Sequence, residues 1–140
     1  MSRLFIAIII WSWVGGICAA ANAPPQKIVS TSLASDEILL ELLAHSPQRI
    51  AALSYMIDDP QWSNAVAAAR AVRGRFRGSV EQLVAFKPDL VIAAQFNSPD
   101  LIKMLKDGKR PVLLLDNFVG LAGILGNIRT IGSAIDANAQ

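Results

Sequence analysis

The sequence predicts an α/β fold, a doubly wound three-layer lobe built on a short, mainly parallel sheet. Beyond Asn22, short β-branched or apolar runs alternate with helix-like stretches, the rhythm of strand–helix–strand units. Two of those runs, Leu90 to Ala94 and Pro111 to Leu115, are apolar throughout instead of alternating. Continuous apolarity marks strands covered on both faces, as in a parallel sheet.

The first element is not part of that lobe. Met1 to Arg3 is a short positive segment, Leu4 to Ile17 is almost unbroken apolar sequence, and Cys18 to Ala23 are small residues. This is the layout of a secretory signal peptide. The apolar run falls short of the roughly 20 residues that span a bilayer. Residues 1–21 are therefore expected to be removed, with Ala19 to Ala21 meeting the small-residue rule and Asn22 as the new N-terminus. Cutting after Ala20 is nearly as good, and an uncleaved anchor helix is the alternative. Lipoprotein processing at Cys18 is disfavoured because Ile17 is bulky. Residues 22–26 then form a flexible leader, and 27–140 the lobe.

Lys27 to Ser30 reads as the first strand. Ser32 or Ser35 can cap a helix running to about His45, with Asp36 and Glu37 in its first turn beside the positive dipole end. Ile38, Leu39, Leu42 and Leu43 recur at helical spacing. Arg49 to Leu53 reads as a second strand, and alanine-rich Gln61 to Val72 as a helix. Val72 to Ser79 is expected to be a loop. Ser79 to Gln82 resembles a capping box opening a helix that ends near Phe86. Leu90 to Ala94 follows the Pro88 stop. Ser98-Pro99 opens a further helix with Gly108 at its C-cap position. After the Pro111 to Leu115 strand, Val119 to Asp136 is the last helical pattern.

Composition narrows the function. Without residues 1–21 the chain is long enough for one compact domain, not two. Cys18 is the only cysteine, so the exported part has no disulfide or thiolate metal site. The formal net charge is +2, and Arg3 leaves with the leader; nucleic acid needs a stronger, clustered positive potential. Gly74 to Gly78 (GRFRG) lacks the spacing and the Lys-Ser/Thr of a phosphate-binding loop. His45 is the only histidine, and a metal site needs several converging ligands. Asp58-Asp59 before Pro60 is ordinary turn chemistry. No catalytic residue, resident cofactor or protein-held metal is expected.

Ligands of open parallel sheets bind beyond the carboxyl ends of the strands. The loops there are Thr31 to Ser35, Ser54 to Pro60 and Gln95 to Ser98, joined by Val72 to Ser79. They carry Ser32, Tyr55, Phe76 and Phe96, with Arg75 and Arg77 on either side of Phe76. Three aromatics suit a wide, flat, partly apolar ligand. The two arginines supply donors for carboxylates or a phosphate.

Four blocks carry a family resemblance. Lys27 to Leu39 (KIVSTSLASDEIL), Ser79 to Ala93 (SVEQLVAFKPDLVIA), Asp107 to Leu115 (DGKRPVLLL) and Asn127 to Gly132 (NIRTIG) resemble, in order and spacing, periplasmic substrate-binding proteins for iron-siderophores, haem and cobalamin. The resemblance covers essentially all of residues 27–135. It implies two α/β lobes bridged by a long helix, a metal chelate held between them, and delivery to the permease subunits of an ABC importer. Iron or cobalt would belong to the ligand. Tyr55 and Phe76 match aromatic positions near the ligand, and Glu81 matches a lobe-surface glutamate that meets permease arginines. A periplasmic monomer is implied. The sequence reaches Gln140 where the connecting helix should begin, so the expectation is the N-terminal lobe with the second lobe absent. A non-functional remnant is the runner-up. A small α/β enzyme, with only Asp58, Asp59 and Asp116 to offer at the loop edge, is the reading from another class.

Overall fold

The computed structural model describes residues 23–108 and 110–136. The expected signal peptide lies outside them. Five strands and five α-helices alternate: β1 (Ile28–Ser30), α1 (Leu33–Leu42), β2 (Ile50–Ser54), α2 (Val66–Ala69), β3 (Gly74–Phe76), α3 (Val80–Phe86), β4 (Leu90–Ala94), α4 (Pro99–Asp107), β5 (Val112–Leu115) and α5 (Gly120–Ala134). The strands form one sheet in the order β3-β2-β1-β4-β5, and every pairing in it is parallel. Among the described residues no helix is long and apolar enough to cross a membrane.

Successive strand residues feed opposite faces. Leu90 and Ile92 join a core with Leu39 of α1, Leu43 at its C-cap and Ile131 of α5. Val91 and Ala93 join a second core with Leu83 of α3 and with Leu101 and Leu105 of α4. All five residues of β4 are buried, which is why its sequence shows no alternation. The sheet is thus the middle of three layers, with α1 and α5 on one face and α3 and α4 on the other.

Serine caps start three of the helices leaving the carboxyl ends of the strands. Ser32, not Ser35, caps α1, and Ser79 and Ser98 cap α3 and α4, each accepting from a backbone N–H three residues on. The box at Ser79 is modified: the Gln82 amide nitrogen donates to the Ser79 hydroxyl, but the Gln82 side-chain oxygen accepts from the Arg77 N–H at 2.8 Å.

Two expectations need correction. The helix foreseen over Gln61 to Val72 is only Val66–Ala69. Its intended first turn is diverted, because the Gln61 N–H donates to the Asp59 carboxylate and the Asn64 N–H to Glu37 across the fold. The loop foreseen over Val72 to Ser79 contains β3, paired to β2 through Ala52↔Gly74, Leu53↔Arg75 and Ser54↔Phe76. A Cβ at Gly74 would stand 2.0 Å from the Ala51 carbonyl oxygen, so the close approach of these strands requires glycine. Gly108 is the C-cap of α4, as foreseen, in extended rather than left-handed geometry, φ −75 and ψ 153. The left-handed cap is found instead at Lys87, φ 49, just ahead of Pro88.

Candidate functional site at the carboxyl edge of the sheet

Because all strand pairings are parallel, the five loops that follow the strands open on one edge. In sheet order they present Arg77 after β3, Tyr55 after β2, Ser32 after β1, Phe96 after β4 and Phe118 after β5. The chain order reverses between β1 and β4. There the connection to α1 leaves toward one face and the connection to α4 toward the other, opening a crevice. A cleft of about 580 Å³ occupies that crevice, lined by Thr31, Ser32, Glu37, Met56, Phe96 and Asn97 together with Leu33, Ala34 and Ser98.

Asn97 ties the two sides of the crevice together. Its side-chain oxygen accepts from the Ala94 N–H at 2.8 Å and from the Thr31 hydroxyl at 2.9 Å, while its nitrogen donates to the Thr31 carbonyl at 3.1 Å. Ser32 is nearly buried at the cleft floor, its hydroxyl 2.7 Å from that of Ser35. Phe96 is 62% exposed and meets Phe118 edge-on with ring centroids 4.9 Å apart. Tyr55 is 51% exposed, and the Arg77 guanidinium carbon sits 5.8 Å from its ring centroid. Such a stack is worth about 0.5–1 kcal/mol at an exposed site. Met56, the next residue, is exposed in the cleft wall.

Two residues foreseen as ligand contacts turn inward. The Phe76 side chain is 3% exposed and packs in the core beneath α3 and α4, because its strand position faces the sheet interior. Arg75 directs all five of its N–H donors into the protein. Two reach the Asp58 carboxylate at 2.7 and 2.8 Å, and the others reach the carbonyls of Val72, Gly74 and Ala69. The Arg75 hydrogen bonds hold the Asp58 carboxyl below the usual carboxylate range, and Asp58 in turn raises the arginine. Arg75 is a brace between β3, α2 and the turn that carries Tyr55. Glu81 is solvent-exposed in the first turn of α3, beside the exposed Val80 and Val84.

The sequence reading missed Asp36 and Asn97. Asp36 is fully buried on α1, and both its carboxylate oxygens lie 3.1 Å from the Ser54 N–H. Burial pushes its pKa up to about 7, against the opposing pull of hydrogen bonds from Ser30 and Ser54 and the Arg75 charge. As a first-turn acid it read as a dipole partner, and its burial is a tertiary fact. Among the described residues no group of three or more His, Cys, Asp or Glu could hold a metal ion.

Solved structures share this architecture. A periplasmic binding protein from Veillonella parvula superposes with a TM-score of 0.61 at 17% identity, covering 82% of this chain and 40% of that one. The periplasmic haem-binding protein HutB of Vibrio cholerae gives 0.61 at 20%, covering 81% and 42%. CeuE of Helicobacter pylori, solved as a Ni-His complex, gives 0.62 at 20%, covering 83% and 39%. At these identities the likeness establishes the fold. The chain spans about 40% of the length of the structures it resembles, the extent of one lobe. No curated protein sequence matches it. The family model described as periplasmic binding protein, however, matches residues 28–140, and the chain belongs to that family.

Proposed function

We propose that the chain binds a metal chelate, an iron-siderophore, haem or cobalamin, at the carboxyl edge of its sheet. The observation that carries this reading is the crevice between β1 and β4, flanked by the exposed rings of Phe96 and Tyr55 and by Met56. A wide, flat ligand gains most from aromatic faces that are already exposed and held in place. Arg77, whose guanidinium lies over the Tyr55 ring, supplies a donor for an acidic rim. Binding of haem by HutB of Vibrio cholerae, and of ferric acinetobactin by the siderophore-binding protein BauB, supports this choice of ligand class.

In this reading the protein is the substrate-binding component of an ABC importer. It is exported after cleavage near Ala21, works in the periplasm as a monomer, and hands the chelate to membrane permease subunits. Glu81 docks the lobe on permease arginines, and Val80 and Val84 flank that contact. Chemistry on the ligand is not part of the role; the lobe loops make non-covalent contacts only.

The test is a titration of the folded chain with haemin, ferrichrome and cyanocobalamin in turn, following the emission of Trp62 and Tyr55. The proposal expects saturable quenching by one of the three. No response to any of them, from a chain whose circular dichroism shows α/β structure, overturns it.

A further inference from the structure

One buried acid lies outside the cleft lining yet is linked through Ser54 to Met56 in its wall. Asp36 accepts the Ser54 N–H with both oxygens at 3.1 Å. Ser54 is the last residue of β2, and its own hydroxyl accepts the Met56 N–H at 3.2 Å, capping the short turn Tyr55–Asp58. That turn displays Tyr55 and Met56, the residues offered to the ligand. Its far end is held by the Asp58–Arg75 ion pair at 2.7 Å. The turn is therefore fastened at both ends, by one solvent-exposed carboxylate and one buried one.

We propose, resting on the chelate-binding reading above, that Asp36 is a positioning residue for the ligand edge: through Ser54 it sets the Tyr55–Met56 turn, and its protonation state tunes that turn. A carboxylate accepts an N–H more strongly than a neutral acid does, by about twofold. Protonation also converts one oxygen to a donor and leaves fewer lone pairs for Ser54 and Ser30. The charged groups acting on Asp36 are Arg75 on β3 and Glu37 on its own helix. The groups that hydrogen-bond its carboxyl are the hydroxyl of Ser30 and the backbone N–H of Ser54. Arg75 keeps its charge throughout the neutral range, and Asp58, held low by that arginine, titrates at more acid pH. Asp36 is therefore the group whose charge changes near neutrality at the back of the turn, consistent with the upward shift that burial gives it.

The test begins without ligand. Amide resonances of Ser54 and Met56 are followed from pH 5 to 9 in the wild-type chain and in Asp36→Asn, which keeps an acceptor for Ser54 but cannot ionise. Expected is a titration of both amides in the wild type, with the Ser54 proton moving downfield as Asp36 ionises, and its loss in the variant. Amides that stay still in the wild type overturn the proposal, and this arm stands even if the variant does not fold. A titration that persists unchanged in a folded Asp36→Asn overturns it equally. The second arm measures haemin affinity of both proteins at pH 6 and pH 8. The ratio of wild-type to variant affinity, in which titration of haemin itself cancels, should rise at least threefold toward pH 8. A constant ratio while the amides titrate overturns the link to the ligand. Absence of haemin binding at any pH moves this arm to ferrichrome and then cyanocobalamin; absence of binding by all three counts against the chelate reading instead, and the amide arm alone then decides whether Asp36 sets the turn.

Discussion

Phe96, Tyr55, Phe76 and Arg75 were alike in the sequence, aromatic or cationic residues on loops after strands, and the structure separates them into two kinds. Phe96 and Tyr55 are more than half exposed. Phe96→Ala should therefore leave the melting temperature nearly unchanged and weaken chelate binding by about 1–2 kcal/mol, read as a five- to thirtyfold rise in Kd. Phe76 is core. Phe76→Ala should cost about 3–5 kcal/mol of stability, seen as a lower denaturant midpoint before any effect on affinity. At Arg75, substitution by Lys should also act through stability, because one ammonium cannot reproduce the two-pronged bond to Asp58 and three carbonyl contacts. Asp36 adds a pH dependence of the opposite sign to that of a salt-bridged acid. Its folded pKa of about 7 stands well above the usual carboxylate range, so its stabilising effect is complete below that range. It is lost as pH rises through about 7, on the order of 4 kcal/mol in all. Thermal melts between pH 4 and 8 check this: the wild type should lose stability relative to Asp36→Asn as pH rises.

For the elements, what the sequence disclosed follows from how local each cause is. β4, α3 and α4 were legible because their signals lie within them: unbroken apolarity in Leu90 to Ala94, serine caps at Ser79 and Ser98, and proline at the first turn of α4. β3 was not legible. Its three residues are Gly74, Arg75 and Phe76, too few to show a period, and the pairing that makes them a strand is supplied by β2. The truncated α2 has the same origin, since Asp59, Glu37 and Arg75 draw off backbone groups that a longer helix would use. Gly74 is the sharpest test at this scale. Gly74→Ala places a methyl group 2.0 Å from the Ala51 carbonyl oxygen, a contact that backbone cannot yield to cheaply. It should unpair β3 from β2 and lower stability by several kcal/mol, at least the 1–3 kcal/mol typical of overpacking. Hydrogen exchange should show the loss first at the amides of β3.

The whole molecule places its candidate site by topology alone. A parallel sheet in the order β3-β2-β1-β4-β5 brings five separate loops to one edge and opens a crevice where the order reverses. That ligands would meet this edge was readable in advance from the alternation of elements; the fifth strand β3 and the strand order were not. Which side chains build the crevice was not readable either, because Asn97 takes its role from Thr31, 66 residues away, and Asp36, behind the crevice wall, takes its own from Ser54, 18 residues away. The lobe offers one edge of aromatic and polar groups, Glu37 and Arg77 among them, and the chain belongs to the periplasmic binding proteins. The most direct measurement of the central claim is amide hydrogen exchange of the chain with and without the chelate that quenches its emission. Slowed exchange is predicted at Thr31–Ser32, Tyr55–Met56 and Phe96–Asn97, with the loops at the amino ends of the strands unchanged. Protection confined to those opposite loops, or absent from the carboxyl edge when the chelate is bound, would contradict it.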